Sequence, residues 1–393
     1  ELKPCGTTDA MNEVFRQNPA AKIAWEAREA IFEQQDAEAY KTGYGKNAPQ
    51  QKSGGPNQTQ GTVYYVPVVF HILHQGGSEN ITDAQVNDAI RILNRDYRKL
   101  NPDTNITVAA FKSIAGDVEL EFRLATIDPN GQCTNGIIRH NSAQTAWTSG
   151  TAGPYTGTTA GKWNPTKYLN IYSVKSISSG AAGYTYLPGT WGTGSGNDCI
   201  IILSTYVGSI GSGSGGTSRA LTHEVGHWFN LSHVWGGTNQ PGVSCGNDGV
   251  TDTPVTEGSN LVCPLTDNSC NAGTVENVQN YMDYSYCSTM FTDGQATRVR
   301  NAATSSTAGR STLISAANLV NTGVTTPQIC APIANFHVTV RTVCPNYVVT
   351  FSDSSSNAHP TQWNWSVPVC TFQNVNTSSD SIPKVSYEAS GTY

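Results

Sequence analysis

Charged side chains are scarce in this chain of 393 residues, since Asp, Glu, Lys and Arg make up only 13% of it, about half the usual share. The net charge is −6 and no stretch concentrates positive charge, which argues against a nucleic-acid partner. Apolar runs are also short, and none approaches the roughly 20 residues that a membrane-spanning helix needs. The sequence therefore predicts neither a nucleic-acid-binding protein nor a membrane span.

The residues that are abundant indicate a protein made for use outside the cell. Glycine, serine, threonine and asparagine replace the missing charges, as in many exported bacterial proteins, and ten cysteines fit an oxidising compartment. The numbering opens with Glu1 rather than methionine, so we expect that an export signal has been removed. We expect a secreted bacterial monomer with two or more domains.

The most informative run is HEVGHWFNLSH at residues 223–233. On a helix, His223 and His227 lie one turn apart and project from the same face, which suits a shared Zn²⁺, and Glu224 lies where it can act on a metal-bound water. His233 reaches the same metal only if the chain turns, and Asn230 suits such a turn because asparagine tolerates left-handed backbone. Three protein ligands with an open position are typical of catalytic zinc. The alternative is three ordinary histidines on a helix.

Four further features place this motif in a family. The run resembles the metzincin pattern HExxHxxGxxH, with Asn230 in the glycine position, and NYMDY downstream resembles the metzincin Met-turn, with Met282 beneath the histidines. CGNDGVTDTP lies between the two, and a cysteine and FTDGQ come after the Met-turn. In this order the motifs resemble the pappalysin family of metzincins, bacterial branch, over roughly residues 60–305.

The resemblance implies an α+β metzincin fold. This is a twisted, mostly parallel five-stranded sheet with a backing helix and a zinc-binding helix, above a loop-rich lower subdomain that carries the Met-turn. The implied activity is that of a secreted zinc endopeptidase in which His223, His227 and His233 hold Zn²⁺. Glu224 is then the general base that returns the proton to the leaving amine. Tyr284 would bind zinc weakly or stabilise the oxyanion, although a packed tyrosine with a local hydrogen bond is the alternative.

The resemblance also suggests a substrate-binding strand. Gly183, Tyr184, Thr185 and Tyr186 form a short aromatic segment between glycine and proline. In metzincins an edge strand above the zinc pairs antiparallel with the substrate, whose backbone is held by main-chain hydrogen bonds. This segment is the candidate by resemblance and order, and an ordinary hairpin arm is the alternative.

A calcium site is implied near the Met-turn. Asp248, Asp252 and Thr253 make an oxygen-rich loop whose ligand types suit Ca²⁺. The spacing is not that of an EF-hand, and Asp-Gly turns are common without a metal. Calcium is therefore expected from the resemblance rather than from the spacing.

The cysteines allow several pairings. Cys245, Cys263, Cys270 and Cys287 surround the motif and permit three pairings; four thiolates on a structural zinc compete, but CxxC spacing is absent. The resemblance suggests Cys245–Cys270 and Cys263–Cys287. Two further pairs are predicted, Cys133–Cys199 and Cys344–Cys370, which leaves Cys5 and Cys330 without obvious partners.

The first 60 residues differ in character from the rest of the chain. Residues 19–40 are rich in Ala and Glu and predict a helix, and a Gly-, Pro- and Gln-rich stretch after them predicts a flexible linker. A helix and linker upstream of a protease domain are typical of a propeptide. The segment Pro4-Cys-Gly-Thr7 resembles the start of this family's proregions, so Cys5 is a possible latent-state zinc ligand. A disulfide or a free thiol at Cys5, and Asp9 in the same blocking role, stay open.

The remaining chain divides into two predicted domains. Residues 61–325 are assigned to the catalytic domain, with strands at 64–73, 118–127, 167–174 and 198–204 and a helix capped by Thr82 that extends to Arg98. Residues 208–216 contain GxGxxG, but the zinc motif directly after them argues against a dinucleotide fold. Residues 326–393 resemble a truncated PKD-type β-sandwich, a module that binds surfaces or polymers or acts as a spacer.

Two other functions remain open from the sequence. One is a binding protein with a latent metzincin domain, and the other is zinc hydrolysis of a non-peptide substrate. Peptide substrates are favoured by the motif order and the candidate edge strand. Ser285 and Tyr286 should border the pocket for the side chain after the cut, and no acidic residue stands between Tyr284 and Cys287, so only a weak preference for Arg or Lys is expected.

Overall fold

A computed structural model gives the fold of residues 4–41, 62–148 and 163–338, and of residues 340, 342–355, 357, 360–367, 370–373 and 379–389. The predicted linker and the Gly391–Tyr393 ending lie outside these described residues. In the described part, no helix has the length and apolar character needed to cross a membrane.

The central sheet is built on one long apolar strand, β1 (Tyr64–His74), which is buried along nearly its whole length. On one side, β1 pairs in parallel with two short strands, β2 (Leu120–Leu124) and β3 (Ile137–Asn141). On the other side it pairs in parallel with β5 (Leu169–Val174), which in turn pairs in parallel with β8 (Ile200–Leu203). Strand β7 (Gly183–Tyr184) closes the edge and is antiparallel. A separate parallel pair, β4 (Ala146–Trp147) and β6 (Ser176–Ile177), lies nearby. The predicted mostly parallel sheet is confirmed, but the predicted number of five strands is wrong, because the sheet has six within the described residues: β2 and β3 each pair with a different part of the long β1.

Two helices pack on one face of this sheet. In α3 (Asp83–Tyr97) the Thr82 hydroxyl caps the helix by accepting from the Gln85 amide at 3.2 Å, as predicted. Its buried Val86, Ala89, Leu93 and Tyr97 join the core that also contains α5 (Ala220–Trp228). The backing helix and the zinc-motif helix therefore share one apolar layer.

The N-terminal segment covers the edge of the sheet and continues across the lower half of the molecule. It forms α1 (Thr7–Gln17), which was not predicted from the sequence, and α2 (Pro19–Lys41), which was. Met11, Val14 and Phe15 of α1 pack into a second apolar cluster with Tyr184 and Tyr186. The segment is therefore docked on the catalytic domain over most of its described length.

The lower half is loop-rich and is held by disulfides. Cys245–Cys270 and Cys263–Cys287 are joined as the resemblance implied. The predicted Cys133–Cys199 pair is wrong, because Cys133 bonds Cys330 across 197 residues, and Cys199 lies in the apolar cluster beneath Tyr184 and Tyr186. The remaining helices are α4 (Ala109–Lys112), α6 (Asp293–Thr304), α7 (Arg310–Leu313) and α8 (Ala316–Asn321), with 3₁₀ turns at Pro102–Ile106, Ala143–Thr145, Ser204–Tyr206 and Thr307–Gly309.

The C-terminal part has its own small sheet. Strands β9 (Phe336–Val338), β10 (Val349–Asp353), β11 (Thr371–Phe372) and β12 (Lys384–Ser386) are antiparallel, in the order β11-β12-β10-β9. Cys344 and Cys370 are not joined, so that predicted pair is also wrong. The described residues contain one layer of the predicted sandwich, and the PKD likeness and the domain boundaries stay predictions.

Candidate metal centre and substrate cleft

The zinc-motif helix ends where the third histidine requires a turn. Asn230 adopts φ +75°, its amide donates to the His227 carbonyl at 2.9 Å, and the Leu231 amide donates to the Gly226 carbonyl at 2.9 Å. These two bonds are the Schellman arrangement that terminates a helix at a left-handed residue. The turn predicted at Asn230 is therefore present and returns the chain toward the first two histidines.

Three imidazole nitrogens converge at this turn. The Nε2 atom of His227 lies 3.0 Å from Nε2 of His223 and 3.2 Å from Nε2 of His233. Nitrogens bound to one tetrahedral Zn²⁺ at about 2.0–2.1 Å would be roughly 3.3 Å apart. The spacing fits a shared zinc ion without rearrangement of the side chains.

The opposite ring nitrogens fix the tautomers of two histidines. Nδ1 of His223 lies 2.8 Å from the Tyr281 carbonyl, and Nδ1 of His227 lies 2.6 Å from the Leu231 carbonyl. A carbonyl only accepts, so each Nδ1 must carry the proton and each Nε2 presents a lone pair. Burial lowers the pKa of His223 to about 4 and those of His227 and His233 well below their usual range. The Nε2 lone pairs of His223 and His227 therefore face one another, as ligands of a shared cation would.

Met282 packs against the zinc-motif helix at its glycine. A Cβ atom on Gly226 would lie 2.5 Å from the Met282 sulfur, so the helix can approach the methionine only because that position is glycine. Met282 itself is fully buried. The predicted structural role of Met282 beneath the histidines agrees with this packing.

Glu224 is buried and has one oxygen without a partner. Its Oε2 accepts from the Thr7 hydroxyl at 3.1 Å, and its Oε1 accepts no hydrogen bond from the part of the chain that the structure describes. A Cβ on Gly183 would lie 3.1 Å from that Oε1, so the carboxylate faces the edge strand β7. Burial raises the pKa of Glu224 to about 8, and the hydrogen bond from Thr7 acts in the opposite direction.

Tyr284 and Trp235 surround the third histidine. The Tyr284 hydroxyl lies 3.0 Å from Nε2 of His233, and the indole of Trp235 stacks on the His233 ring with centroids 4.6 Å apart and planes within 2°. Tyr284 also packs edge-on against Trp235 at 4.8 Å. Tyr284 was predicted from the sequence but Trp235 was not, because its only sequence signal was its position two residues after His233.

The N-terminal segment occupies the cleft. Cys5, His223, His227 and His233 form the one group of potential metal ligands within the described ranges, with ligand atoms all within 4.8 Å of one another. The Gly6 amide donates to the Gly183 carbonyl at 2.9 Å. Cys5 rather than Asp9 is thus the residue brought to the histidines. Burial, and then the charge on Glu224, raise the pKa of the Cys5 thiol well above its usual range.

A second residue of this segment, Thr7, bridges the acid and the strand. Its hydroxyl accepts from the Thr185 amide at 3.0 Å while it donates to Glu224. Thr7 was not predicted, and nothing in its sequence context distinguishes it from other threonines.

The predicted calcium loop has its carboxylates in hydrogen bonds. Asp248 accepts from the Val250 amide and the Gln295 amide group at 3.0 and 2.9 Å. Asp252 accepts from the Thr292 hydroxyl and the Gly294 amide at 2.7 and 2.8 Å. Thr253 is buried, and its hydroxyl has no hydrogen-bond partner among the described residues.

A buried carboxylate behind the histidines was also missed. Asp96 of α3 accepts from the Thr222 hydroxyl at 2.7 Å and the Tyr281 hydroxyl at 3.0 Å. Tyr281 is the residue whose carbonyl holds His223. An aspartate on the apolar stripe of an amphipathic helix, one turn after Leu93, is the signal that could have identified it.

Comparison with known proteins gives relatives over the central part of the chain. The family model Peptidase_M43, described as pregnancy-associated plasma protein-A, matches residues 157–304. Extracellular metalloprotease 1 of Coccidioides posadasii is 31% identical over 243 residues, which are 60% of this chain and 75% of that protein. An extracellular metalloprotease of Colletotrichum graminicola is 39% identical over 137 residues, 33% of this chain and 47% of that protein.

Two solved structures from Tannerella forsythia are similar in fold. Mature mirolysin in complex with a cleaved peptide is 34% identical with a TM-score of 0.61, over 67% of this chain and 99% of that one. A promirolysin mutant is 29% identical with a TM-score of 0.61, over 79% of this chain and 97% of that one. The larger share matched by the proprotein indicates that the likeness extends beyond the mature enzyme.

Proposed function

Because the chain belongs to the pappalysin family of metalloproteases, we propose that it is a secreted zinc endopeptidase, made as a latent zymogen, with Glu224 as general base. Membership makes the chain a metalloendopeptidase with the metzincin fold that acts on proteins or peptides. The convergence of three imidazole nitrogens beside a buried glutamate is the observation that supports the rest.

His223, His227 and His233 would hold the zinc ion through Nε2. Backbone carbonyls orient two of the three rings, those of His223 and His227, and the three nitrogens are spaced for one tetrahedral ion. When bound, Zn²⁺ supplies Lewis acidity, which lowers the pKa of a coordinated water to about 7 and polarises the scissile carbonyl.

Glu224 would transfer the proton between the attacking water and the leaving amine. Its unpartnered oxygen faces the side of the cleft where β7 would hold a substrate. General acid–base catalysis is most effective when the pKa of the group lies near the working pH, and burial moves the pKa of Glu224 upward, in that direction. This role requires that the Thr7 hydroxyl first leaves the other oxygen.

Tyr284 and the edge strand would position the substrate. The backbone of Gly183, Tyr184, Thr185 and Tyr186 would bind an extended peptide by strand addition. The Tyr284 hydroxyl, beside His233, would donate to the oxyanion as the carbonyl becomes tetrahedral.

Cys5 would keep the enzyme latent by acting as a fourth metal ligand. Its burial disfavours a thiolate, but a zinc-bound thiol is deprotonated outright. Within the described residues it belongs to no disulfide. Cys5→Ser should therefore make the chain cleave peptides before any proteolysis. If Cys5 serves only to pack the cleft, the Cys5→Ser variant should remain inactive until it is proteolysed.

Calcium remains a prediction from the resemblance. The carboxylates of Asp248 and Asp252 already accept hydrogen bonds, and no catalytic step requires a cation there. If Ca²⁺ raises the unfolding temperature of the wild type but not that of Asp248→Asn, the calcium site is supported. If Ca²⁺ changes the unfolding temperature of both proteins equally, the predicted site is wrong.

The function is tested by digesting a mixed peptide library with the chain after limited trypsin treatment. We expect cleavage by the wild type and by Glu388→Ala, a matched control at an exposed glutamate. Glu224→Ala should not cleave the peptides, and a zinc chelator should abolish cleavage by the wild type. Zinc binding without cleavage by any of these proteins would contradict the proposal and favour a binding role.

A further inference from the structure

The N-terminal segment crosses the cleft in a fixed order. Pro4 lines a pocket together with Leu261, Tyr284 and Tyr286. This pocket is expected to bind the side chain of the substrate residue that directly follows the cleaved bond. Cys5 comes next, at the histidines, and then Thr7 at Glu224. The residues after Thr7 therefore lie on the opposite side of the metal group, where the part of a substrate N-terminal to the cleaved bond would lie.

Helix α1 begins at that point and buries an apolar face. Met11, Val14 and Phe15 are 6%, 8% and 9% exposed, at the spacing of one helix face. The opposite face is charged, with Glu13 and Arg16 paired at 2.6 Å in solvent. The apolar face therefore has a partner surface on the catalytic domain.

That surface is an aromatic wall, defined here as Trp147, Tyr184, Tyr186, Leu187 and Trp191. With α1 in place, four of its members are at most 7% exposed and Trp191 is half-buried. All five belong to or pack against the cluster that contains the apolar face of α1. Tyr186 meets both Tyr184 and Trp191 edge-to-face, at 6.0 and 5.5 Å, and the Trp147 indole N–H donates to the Tyr184 hydroxyl at 2.7 Å, so the four aromatic rings of the wall are in contact.

The wall contains a buried polar group without a partner among the described residues. This group is the indole N–H of Trp191, which no described atom accepts. An orphaned donor of this kind is costly unless another state of the molecule gives it an acceptor. A bound peptide offers backbone carbonyls at every residue.

The wall is also continuous with the edge strand, because Tyr184 belongs to β7 and to the wall. From this continuity, from the apolar face that covers the wall and from the order of the segment, we infer that the aromatic wall is a second substrate-binding surface. Once the segment is removed, it binds apolar side chains of the substrate several residues N-terminal to the cleaved bond. This inference rests on the proposed protease function and adds a substrate class to it.

The test uses the full chain activated by limited proteolysis and three peptides with the same cleaved bond, taken from the library digest. The first peptide carries Leu and Phe in its N-terminal extension, the second carries Ser and Gly there, and the third lacks the extension. We expect the first peptide to be cleaved with kcat/KM on the order of tenfold above the second and third, the gain from partly burying one large apolar side chain.

Variants of the wall separate binding from folding. Trp191→Ala and Leu187→Ala should abolish the tenfold preference, while the peptide without the extension is cleaved as by the wild type. Val320→Ala, at an exposed apolar residue of α8, is the matched control and should keep the preference. Equal losses on all three peptides would mean that these residues only support the fold, and would overturn the inference.

A competition measurement gives a readout that does not depend on these variants. A synthetic peptide of residues 8–18, which lacks Cys5 and Thr7, should inhibit cleavage of the apolar peptide and not of the peptide without the extension. The same peptide with Met11, Val14 and Phe15 replaced by Ser should not inhibit. Equal cleavage of apolar and polar extensions by the wild type would overturn the inference while the protease function stands; no cleavage of any peptide would overturn both.

Discussion

Removal of Asp96 tests whether a residue remote from the reaction holds the metal ligands in place. Asp96 is 1% exposed in its side chain and accepts hydrogen bonds from Thr222 and Tyr281. Arg219 lies 3.4 Å away but is held in two bonds by Asp103, at 2.6 and 2.8 Å. Three elements, α3, the start of α5 and the Met-turn, therefore meet at one carboxylate.

The magnitude depends on the groups that Asp96→Ala leaves behind. Two buried hydroxyls lose their acceptor, at about 1–3 kcal/mol each, while Arg219 keeps its main partner. We therefore expect a loss of about 3–5 kcal/mol in the free energy of unfolding, as for other broken buried pairs. Asp96→Asn keeps the shape and one acceptor oxygen, so its loss should be smaller, about 1–2 kcal/mol.

The same change should weaken zinc binding. The Tyr281 carbonyl that accepts from His223 is held by the side chain of that tyrosine, which Asp96 anchors. Loss of such outer partners typically costs 10- to 100-fold in metal affinity, and we expect about tenfold for Asp96→Ala.

Urea unfolding of the metal-free chain and competition against a chromophoric zinc chelator measure the two effects. Glu26→Ala, at an ion pair with Lys22 that is exposed on both sides, is the control and should change stability by less than about 1 kcal/mol. Tyr281→Phe should be non-additive with Asp96→Ala by about 0.5–3 kcal/mol. If Asp96→Ala loses stability but binds zinc like the wild type, the positioning argument is refuted.

Three other predictions concern single contacts. Burial raises the pKa of Glu29 in α2 to about 7, against about 4.3 when free. Between these two pH values the docked segment binds one more proton than the released segment, so docking should weaken as pH rises from about 4.3 to 7. Activation by trypsin should therefore be slower at pH 5.5 than at pH 8, once the rate is normalised to trypsin cleavage of a free peptide at each pH. Glu29→Gln should remove this difference. Trp235→Ala should lower zinc affinity about tenfold by freeing the ring of His233, with Trp235→Phe close to the wild type by chelator competition. Gly226→Ala should cost about 1–3 kcal/mol by overpacking against Met282, and urea unfolding of the double variant with Met282→Ala should show partial recovery.

The parts of the fold that were predicted from the sequence are those with a local cause. β1 is a continuous apolar run, α3 has its cap at Thr82, and the turn at Asn230 follows from the few residue types that tolerate positive φ. The spacing of His223 and His227 is itself a helical property. Each of these features is decided within about ten residues of chain, so the pattern alone was sufficient.

The parts that were missed depend on contacts between distant residues. Cys133 and Cys330 are 197 residues apart, and no local pattern relates them. Helix α1 has apolar residues at helical spacing, but a helix of 11 residues is marginal until its face is buried, and only the folded chain reveals the wall that buries it. In the sequence, Asp96 only interrupts the apolar face of α3. Its role becomes visible in the fold, where Thr222 and Tyr281 donate hydrogen bonds to it.

The direction of the N-terminal segment explains how it can occupy a cleft built to cut peptides and remain whole. Gly6 bonds Gly183 and Thr7 meets Thr185, so the segment runs parallel to β7, whereas a substrate held as in other metzincins would run antiparallel. In the reversed direction a thiol, not a carbonyl, reaches the histidines, and a hydroxyl takes one oxygen of Glu224. An inhibitor that made these contacts in the substrate direction would present a peptide carbonyl to the metal and be cleaved. We therefore expect latency to depend on chain polarity as much as on Cys5.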